Sequence, residues 1–359
     1  MKVGIISMQR IINYGSYLQA YSLKSTLEEL GHQVSFVDYT IEPAIVEKEE
    51  NEYVPPKKKN IFQKTINYLW EHRSAMYLKQ RFMEEYFNEL GVTPEFHYRT
   101  KQDVIVIGSD EVFNCLQSNP EVGYSKELFG KYANADKVIT YAASFGTTTT
   151  KGLEKYGIKE EVAGMLKQLD AISIRDLNSK QIINELAHIE PEYHVDPVFI
   201  YDYEGKVPAE VPLKNYIIVY AYGERITEEE ASVINDFAKK HGKKIVTIGG
   251  TQRPEWEHLL LSPFEVLAYF QHADYIITDT FHGSVFSIKY SKKFATIIRE
   301  GNKQKLTDLL KRFGLEQRVV KDISRLEEVV TAQVDFAPVQ QKIKEEKEKS
   351  ITYLKSSIL

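Results

Sequence analysis

Short apolar runs that end in Gly, Ser or Asp and hand over to helical stretches recur along this chain, and that alternation is the pattern of a parallel αβ sheet. Lys2 to Ser7 reads as the first strand. A helix over Leu18 to Leu30 follows, with apolar Leu18, Tyr21, Leu23 and Leu27 and a terminating Gly31, and then a strand at Gln33 to Asp38. Runs at Val104 to Ile107 before Gly108, Val138 to Ala142 before Ser144-Phe145-Gly146, Ala171 to Ile174 and Tyr193 to Val195 continue the series. An acidic, Pro-containing stretch at Tyr201 to Pro212 interrupts it. A second series then runs through strand Tyr216 to Tyr220, helix Glu228 to His241, strand Lys244 to Ile248, helix Pro263 to His272, strand Tyr275 to Thr278 and strand Phe294 to Ile298. Because 359 residues exceed the roughly 250–300 at which one core stops growing, two domains are expected. The expected division is 1–205, 206–335 and a charged amphipathic helix within 336–359.

The stretch Tyr275 to Tyr290, YIITDTFHGSVFSIKY, carries the sharpest local signal. An apolar strand ends in Asp279, Thr280 to Gly283 forms the turn, and an apolar helix follows. Ligands of parallel sheets sit off the carboxyl ends of strands, and the free N–H groups of a helix start attract anions. His282 therefore stands where an anionic substrate and a proton donor would meet, and a role as helix cap or buried structural group is the plainer alternative.

Composition excludes more than it identifies. The net charge of −5, from 46 basic and 51 acidic side chains, provides no global positive field for nucleic acid. Cys115 is the one cysteine, so neither an intramolecular disulfide nor a CxxC metal site is available, and a cytoplasmic location is expected. The start MKVGIIS is too short for a signal sequence, and no apolar run reaches the ~18 residues of a membrane span. The nine histidines show no HExxH spacing, so no metal is expected, and the absence of GxGxxG argues against a dinucleotide. One segment breaks the αβ rhythm, a helical insert at 55–90 that opens on Lys57-Lys58-Lys59 and mixes aromatic with basic residues. Either its 57–87 portion rests peripherally on the inner face of an anionic membrane, or it is an amphipathic helix pair covering the sheet.

Six motifs then occur in order: Asn13-Tyr14-Gly15-Ser16-Tyr17-Leu18-Gln19-Ala20-Tyr21, Gly108-Ser109-Asp110-Glu111-Val112-Phe113-Asn114, Ser144-Phe145-Gly146, Ser173-Ile174-Arg175-Asp176, Asp196-Pro197 and Thr278-Asp279-Thr280-Phe281-His282-Gly283. Together they resemble the polysaccharide pyruvyl transferase family, from Met1 to about Arg318. The resemblance implies two Rossmann-like domains facing a cleft, similar to the GT-B glycosyltransferases. It also implies transfer of pyruvate from phosphoenolpyruvate onto a saccharide acceptor, free or lipid-linked, in cell-surface or exopolysaccharide biosynthesis, with no cofactor beyond that donor. By the GT-B analogy, the last helix crosses back onto the first domain; a solvent-facing tail is the other reading.

Ketal formation needs cations for the carboxylate and phosphate of the donor, a proton for its methylene carbon, and a group to take protons from the sugar hydroxyls. His282 is the expected donor of the proton. Arg175, just after a strand, is the first choice of cation, its alternative being an ion pair with Asp176 or another carboxylate. Arg299, Lys305, Ser144 and Gly283 complete the expected phosphoenolpyruvate side. Asp110 is expected either to act as base toward the hydroxyls or to cap a helix, and Asn13, Tyr14, Gly15, Ser16, Gln19 and Asp279 are expected on the acceptor side. Family members often show arginine near Lys305 and, in some cases, in place of Thr280. Two other classes remain: a GT-B glycosyltransferase using a nucleotide sugar, for which Glu300 is the nearest downstream carboxylate, and a non-catalytic saccharide-binding member of an assembly complex.

Overall fold

The computed structural model describes residues 1–46 and 73–359. Its strands are β1 (Lys2–Ile6), β2 (Gln33–Phe36), β3 (Gln102–Asp110), β4 (Ala135–Ala143), β5 (Ser173–Ile174), β6 (Glu192–Tyr193), β7 (Tyr216–Tyr220), β8 (Lys244–Ile248), β9 (Glu257–His258), β10 (Tyr275–Thr278), β11 (Phe294–Ile297) and β12 (Val319–Val320). They form two six-stranded sheets, ordered β2-β1-β3-β4-β5-β6 and β12-β11-β10-β7-β8-β9, with every strand pair parallel. Val104 to Ile107 and Tyr216 to Val219 are buried on both faces, as central parallel strands require. Strands β9 and β12 have two residues each, too few to leave a period-2 pattern in the sequence.

Two helices begin earlier than their apolar pattern implies, and in both a capping side chain is the reason. Asn13 Oδ1 accepts from the N–H of Gly15 at 2.7 Å and Ser16 at 3.3 Å, so the helix Tyr14–Glu29 opens inside what reads as a polar loop. Thr280 Oγ1 accepts from Gly283 N–H at 2.9 Å, so the helix Phe281–Lys289 carries His282 in its first turn. Thr280, not His282, caps that helix.

A shared apolar core runs between the sheets. Tyr21 and Phe264 meet edge to face at 4.9 Å, and Tyr14 Oη donates to the Leu261 carbonyl at 2.8 Å. The last helix, Ala337–Ile358, buries Val339, Ile343, Leu354 and Ile358 in this core. It reaches both halves: Tyr353 Oη donates to the Thr140 carbonyl at 2.8 Å, and Gln340 Nε2 to Ser291 Oγ at 2.7 Å.

The helical insert and its membrane-facing portion lie outside the described residues up to 72. From 73 onward the chain is helical, passing through a π-helical turn at Phe82–Tyr86 into Phe87–Leu90. Phe82 and Tyr86 pack against Tyr17 with ring centroids 6.1 and 6.3 Å apart, so this end covers the first helix. Among the described residues, no helix is long and apolar enough to cross a membrane.

Candidate active site

Each sheet has one place where strand order reverses, and crevices for ligands open at the carboxyl ends of such strands. In the first sheet it lies between β1 and β3, leading to Asn13 and Asp110; in the second it lies between β7 and β10, leading to Tyr222 and His282. The two crevices meet. A Cβ built on Gly15 would lie 2.2 Å from His282 Nδ1 and 2.3 Å from its Cγ, so only a residue without a side chain lets the imidazole lie against the first helix.

Around the imidazole stands a buried ionic group drawn from three motifs of the first half. Arg175, its side chain 2% exposed, donates from one terminal nitrogen to Asp110 Oδ1 and from the other to Asp196 Oδ2, both at 2.9 Å. Its guanidinium lies 4.4 Å from the centre of the Phe281 ring. Ser16 Oγ donates to the second oxygen of Asp110 at 2.9 Å. His282 Nε2 is buried, has no hydrogen-bond partner, and lies 3.5 Å from Asp196 Oδ2. Arg175 Nε is likewise buried without a partner, so two nitrogens of this group are left for something else to meet.

The electrostatics follow from that packing. Burial works to raise the Asp110 carboxyl, but Arg175, then His282, the Ser16 hydroxyl and Lys305 outweigh it and hold the group at about 2. Asp110 is therefore ionised at any ordinary pH. It ends β3 with φ +74°, a conformation that costs a non-glycine residue free energy, and its carboxylate accepts from Ser16 and Arg175 instead of serving as a helix cap. Beside it, Lys305 pairs with Glu111, and Glu111 also accepts from Asn114 Nδ2 at 2.8 Å. Burial pushes the Glu111 carboxyl up and the Lys305 amine down, and in each case the attraction of its partner prevails.

The remaining expected site residues fall into distinct places. Asn13, Gly15, Ser16, Asp110, Arg175 and His282 converge, with Gly283 in the turn behind. A Cβ on Gly283 would come within 2.1 Å of Thr278 Oγ1, so this glycine permits the strand and helix to pack. Tyr14 spends its hydroxyl on Leu261, and buried Gln19 donates to Ser7 Oγ and the Ser16 carbonyl, both at 3.0 Å. Ser144 is fully buried, its hydroxyl accepting from Gly146 N–H at 3.0 Å. Arg299 and Asp279 form a second ionic group: the guanidinium grips Glu230 at 2.7 and 2.9 Å and donates to Asp279 Oδ2 at 3.2 Å. The partners of Arg175 are Asp110 and Asp196; Asp176 instead caps the helix Leu177–Ala187. Sequence reasoning gave no role to Asp196, Glu111 or Glu230. Asp196 and Glu111 each left a sign, as members of the motif series; Glu230 left none.

Among the described residues no group of three or more His, Cys, Asp or Glu side chains is placed to hold a metal ion. The family model described as polysaccharide pyruvyl transferase matches residues 13–301, more than half of the chain. Among curated proteins, none matches it. Similar solved structures include S. aureus MnaA in its UDP co-structure, 10% identical, covering 99% of this chain and 96% of that one with a TM-score of 0.51. Arabidopsis thaliana UGT89C1 complexed with UDP-L-rhamnose is 9% identical over 99% and 98% of the two chains, with a TM-score of 0.49. At such identity the likeness is one of fold: two Rossmann-like domains facing a cleft, as in GT-B proteins.

Proposed function

The chain belongs to the polysaccharide pyruvyl transferase family, and from that premise we propose that it moves pyruvate from phosphoenolpyruvate onto two hydroxyls of a saccharide, forming a ketal. The observation that carries the reading is His282 Nε2, buried and unpartnered where the two crevices meet. A proton donor for a carbon atom needs such an unoccupied nitrogen. Asp196 Oδ2 lies 3.5 Å from that nitrogen.

In the proposed reaction His282 gives its proton to the methylene carbon, which becomes a methyl group as C2 turns electrophilic. The first saccharide hydroxyl bonds to C2 and its proton passes to the now neutral imidazole. The second hydroxyl then bonds to C2, the C2–O bond to phosphate breaks, and the remaining proton leaves with phosphate. Asp110, at about 2, is too weak a base for these protons near neutrality. Its part is to hold Arg175 in place and, through Ser16, to fix the start of the first helix against the cleft.

The test is saccharide-dependent phosphate release from phosphoenolpyruvate, with thermal shift against phosphoenolpyruvate and UDP-sugars on the same preparation. Acceptor-dependent phosphate release is expected, with stabilisation by phosphoenolpyruvate. Stabilisation by UDP-sugars alone would instead favour a glycosyltransferase, and no response to either donor would favour a saccharide-binding role.

A further inference from the structure

The cations expected to hold the donor are largely committed to protein carboxylates. Both terminal nitrogens of Arg175 are spent on Asp110 and Asp196, Arg299 is held by Glu230 and Asp279, and Lys305 is paired with Glu111. Around His282, Arg175 and Lys305 thus face three carboxylates, Asp110, Glu111 and Asp196, and both cations are already paired before an anionic donor arrives. Transfer of a phosphate out of water needs such a charge.

Arg225 meets the requirement. It follows β7, the strand beside β10 at the switch point of the second sheet, so its loop faces the turn that carries His282. Among the described residues its guanidinium makes no hydrogen bond and its nearest carboxylate oxygen is Asp279 Oδ2 at 3.9 Å; the side chain is 41% exposed. It lies 5.0 Å from the ring centre of Tyr222, which is itself exposed on the same loop. Lys305, Asp110 and Glu111 all lie within electrostatic reach of the Tyr222 hydroxyl, which puts the pair on the cleft of the catalytic group. Asp279 is also held by Arg299, so the move of Arg225 onto a ligand would not strand that carboxylate. Two buried atoms flanking the turn, His282 Nε2 and Asp279 Oδ1, have no partner.

We propose that Arg225 is the cation that binds the donor's phosphate, an inference that rests on the phosphoenolpyruvate reading above. The guanidinium fork suits a phosphate's paired oxygens, and its weak tie to Asp279 leaves it ready to turn. The test compares wild type, Arg225→Ala and Arg225→Lys. Calorimetry would measure binding of inorganic phosphate and of pyruvate, and steady-state kinetics the KM for phosphoenolpyruvate. In Arg225→Ala, phosphate affinity should fall and KM rise by about 10-fold to 100-fold, the worth of one charge-assisted contact, with kcat changed less. Pyruvate affinity should hold, Arg225→Lys should recover part of the loss, and the melting temperature should stay unchanged. Equal phosphate affinity in wild type and Arg225→Ala, or no phosphate binding by wild type, would overturn the assignment, as would an equal loss of pyruvate binding. Wild type that binds phosphate through Arg225 yet never consumes phosphoenolpyruvate would sink the pyruvyl transfer reading and leave the arginine as a phosphate site.

Discussion

At the scale of single residues, the site depends on one imidazole and the glycine that admits it. His282→Gln keeps a polar group of similar reach but cannot donate the proton, so turnover should fall by about 100-fold to 10,000-fold with the melting temperature preserved. Phosphate release and thermal unfolding on one preparation check this, and near-normal turnover with reduced stability would make His282 structural. Gly15→Ala should destabilise by about 1–3 kcal/mol, because its methyl would overlap the His282 ring. In a His282→Ala background the two nearest atoms are gone, so the same substitution should cost much less; denaturant titration of the four proteins reads that coupling. Asp110 has a pH signature. Folding lowers its carboxyl from 3.8 to about 2, so the unfolded chain takes up the proton first. The stability it contributes, on the order of 2 kcal/mol, is complete above about pH 4 and lost as pH falls toward 2. Asp110→Asn should therefore flatten the drop in melting temperature across that window; an unaltered slope would remove Arg175 as its dominant partner.

Among the elements, the helix Ala337–Ile358 ties the two sheets most directly. It bonds to Thr140 on β4 and to Ser291 beyond the helix Phe281–Lys289, and Arg312 clasps its Glu346 with a contact of 2.6 Å. Leu354 is fully buried in the core common to both halves. Leu354→Ala should cost about 2–5 kcal/mol, the range for a buried leucine whose cavity only partly collapses. Since that core spans both sheets, fluorescence and circular dichroism should report one shared shift of the unfolding midpoint. A loss confined to one probe would mean that the helix stabilises only one half.

For the whole molecule, the contacts across the cleft determine how open it stands. Lys305 with Glu111, the Leu177 N–H to Asp308 at 2.9 Å, and Gly15 against His282 all join one half to the other. Substrates would have to enter where such contacts part, so the cleft is expected to open and close during turnover. Glu111→Lys would set two ammonium groups against each other at this bridge. The radius of gyration from small-angle scattering should increase and turnover should fall. An unchanged radius would show that the apolar interface, with Tyr21 on Phe264, holds the halves together without the ion pair.

Local information sufficed where the cause is local. Alternation of apolar runs with helical stretches implies two parallel sheets, because a strand buried on both faces must be apolar along its length, and the motif order points to the family. The placement of His282 at a strand-to-helix edge was legible because strand, turn and helix are consecutive in the chain. The short strands β9 and β12 and the early helix starts at Tyr14 and Phe281 were not, since two residues show no period and a cap is one side chain. Tertiary structure alone decided which carboxylates neutralise which cations. Arg175 sits 65 residues from Asp110 and 21 from Asp196, and Lys305 sits 194 from Glu111. Ion pairing acts through space and leaves no periodicity along the chain. The same reason hid Arg225, whose significance lies in a guanidinium that its described neighbours leave without a hydrogen bond.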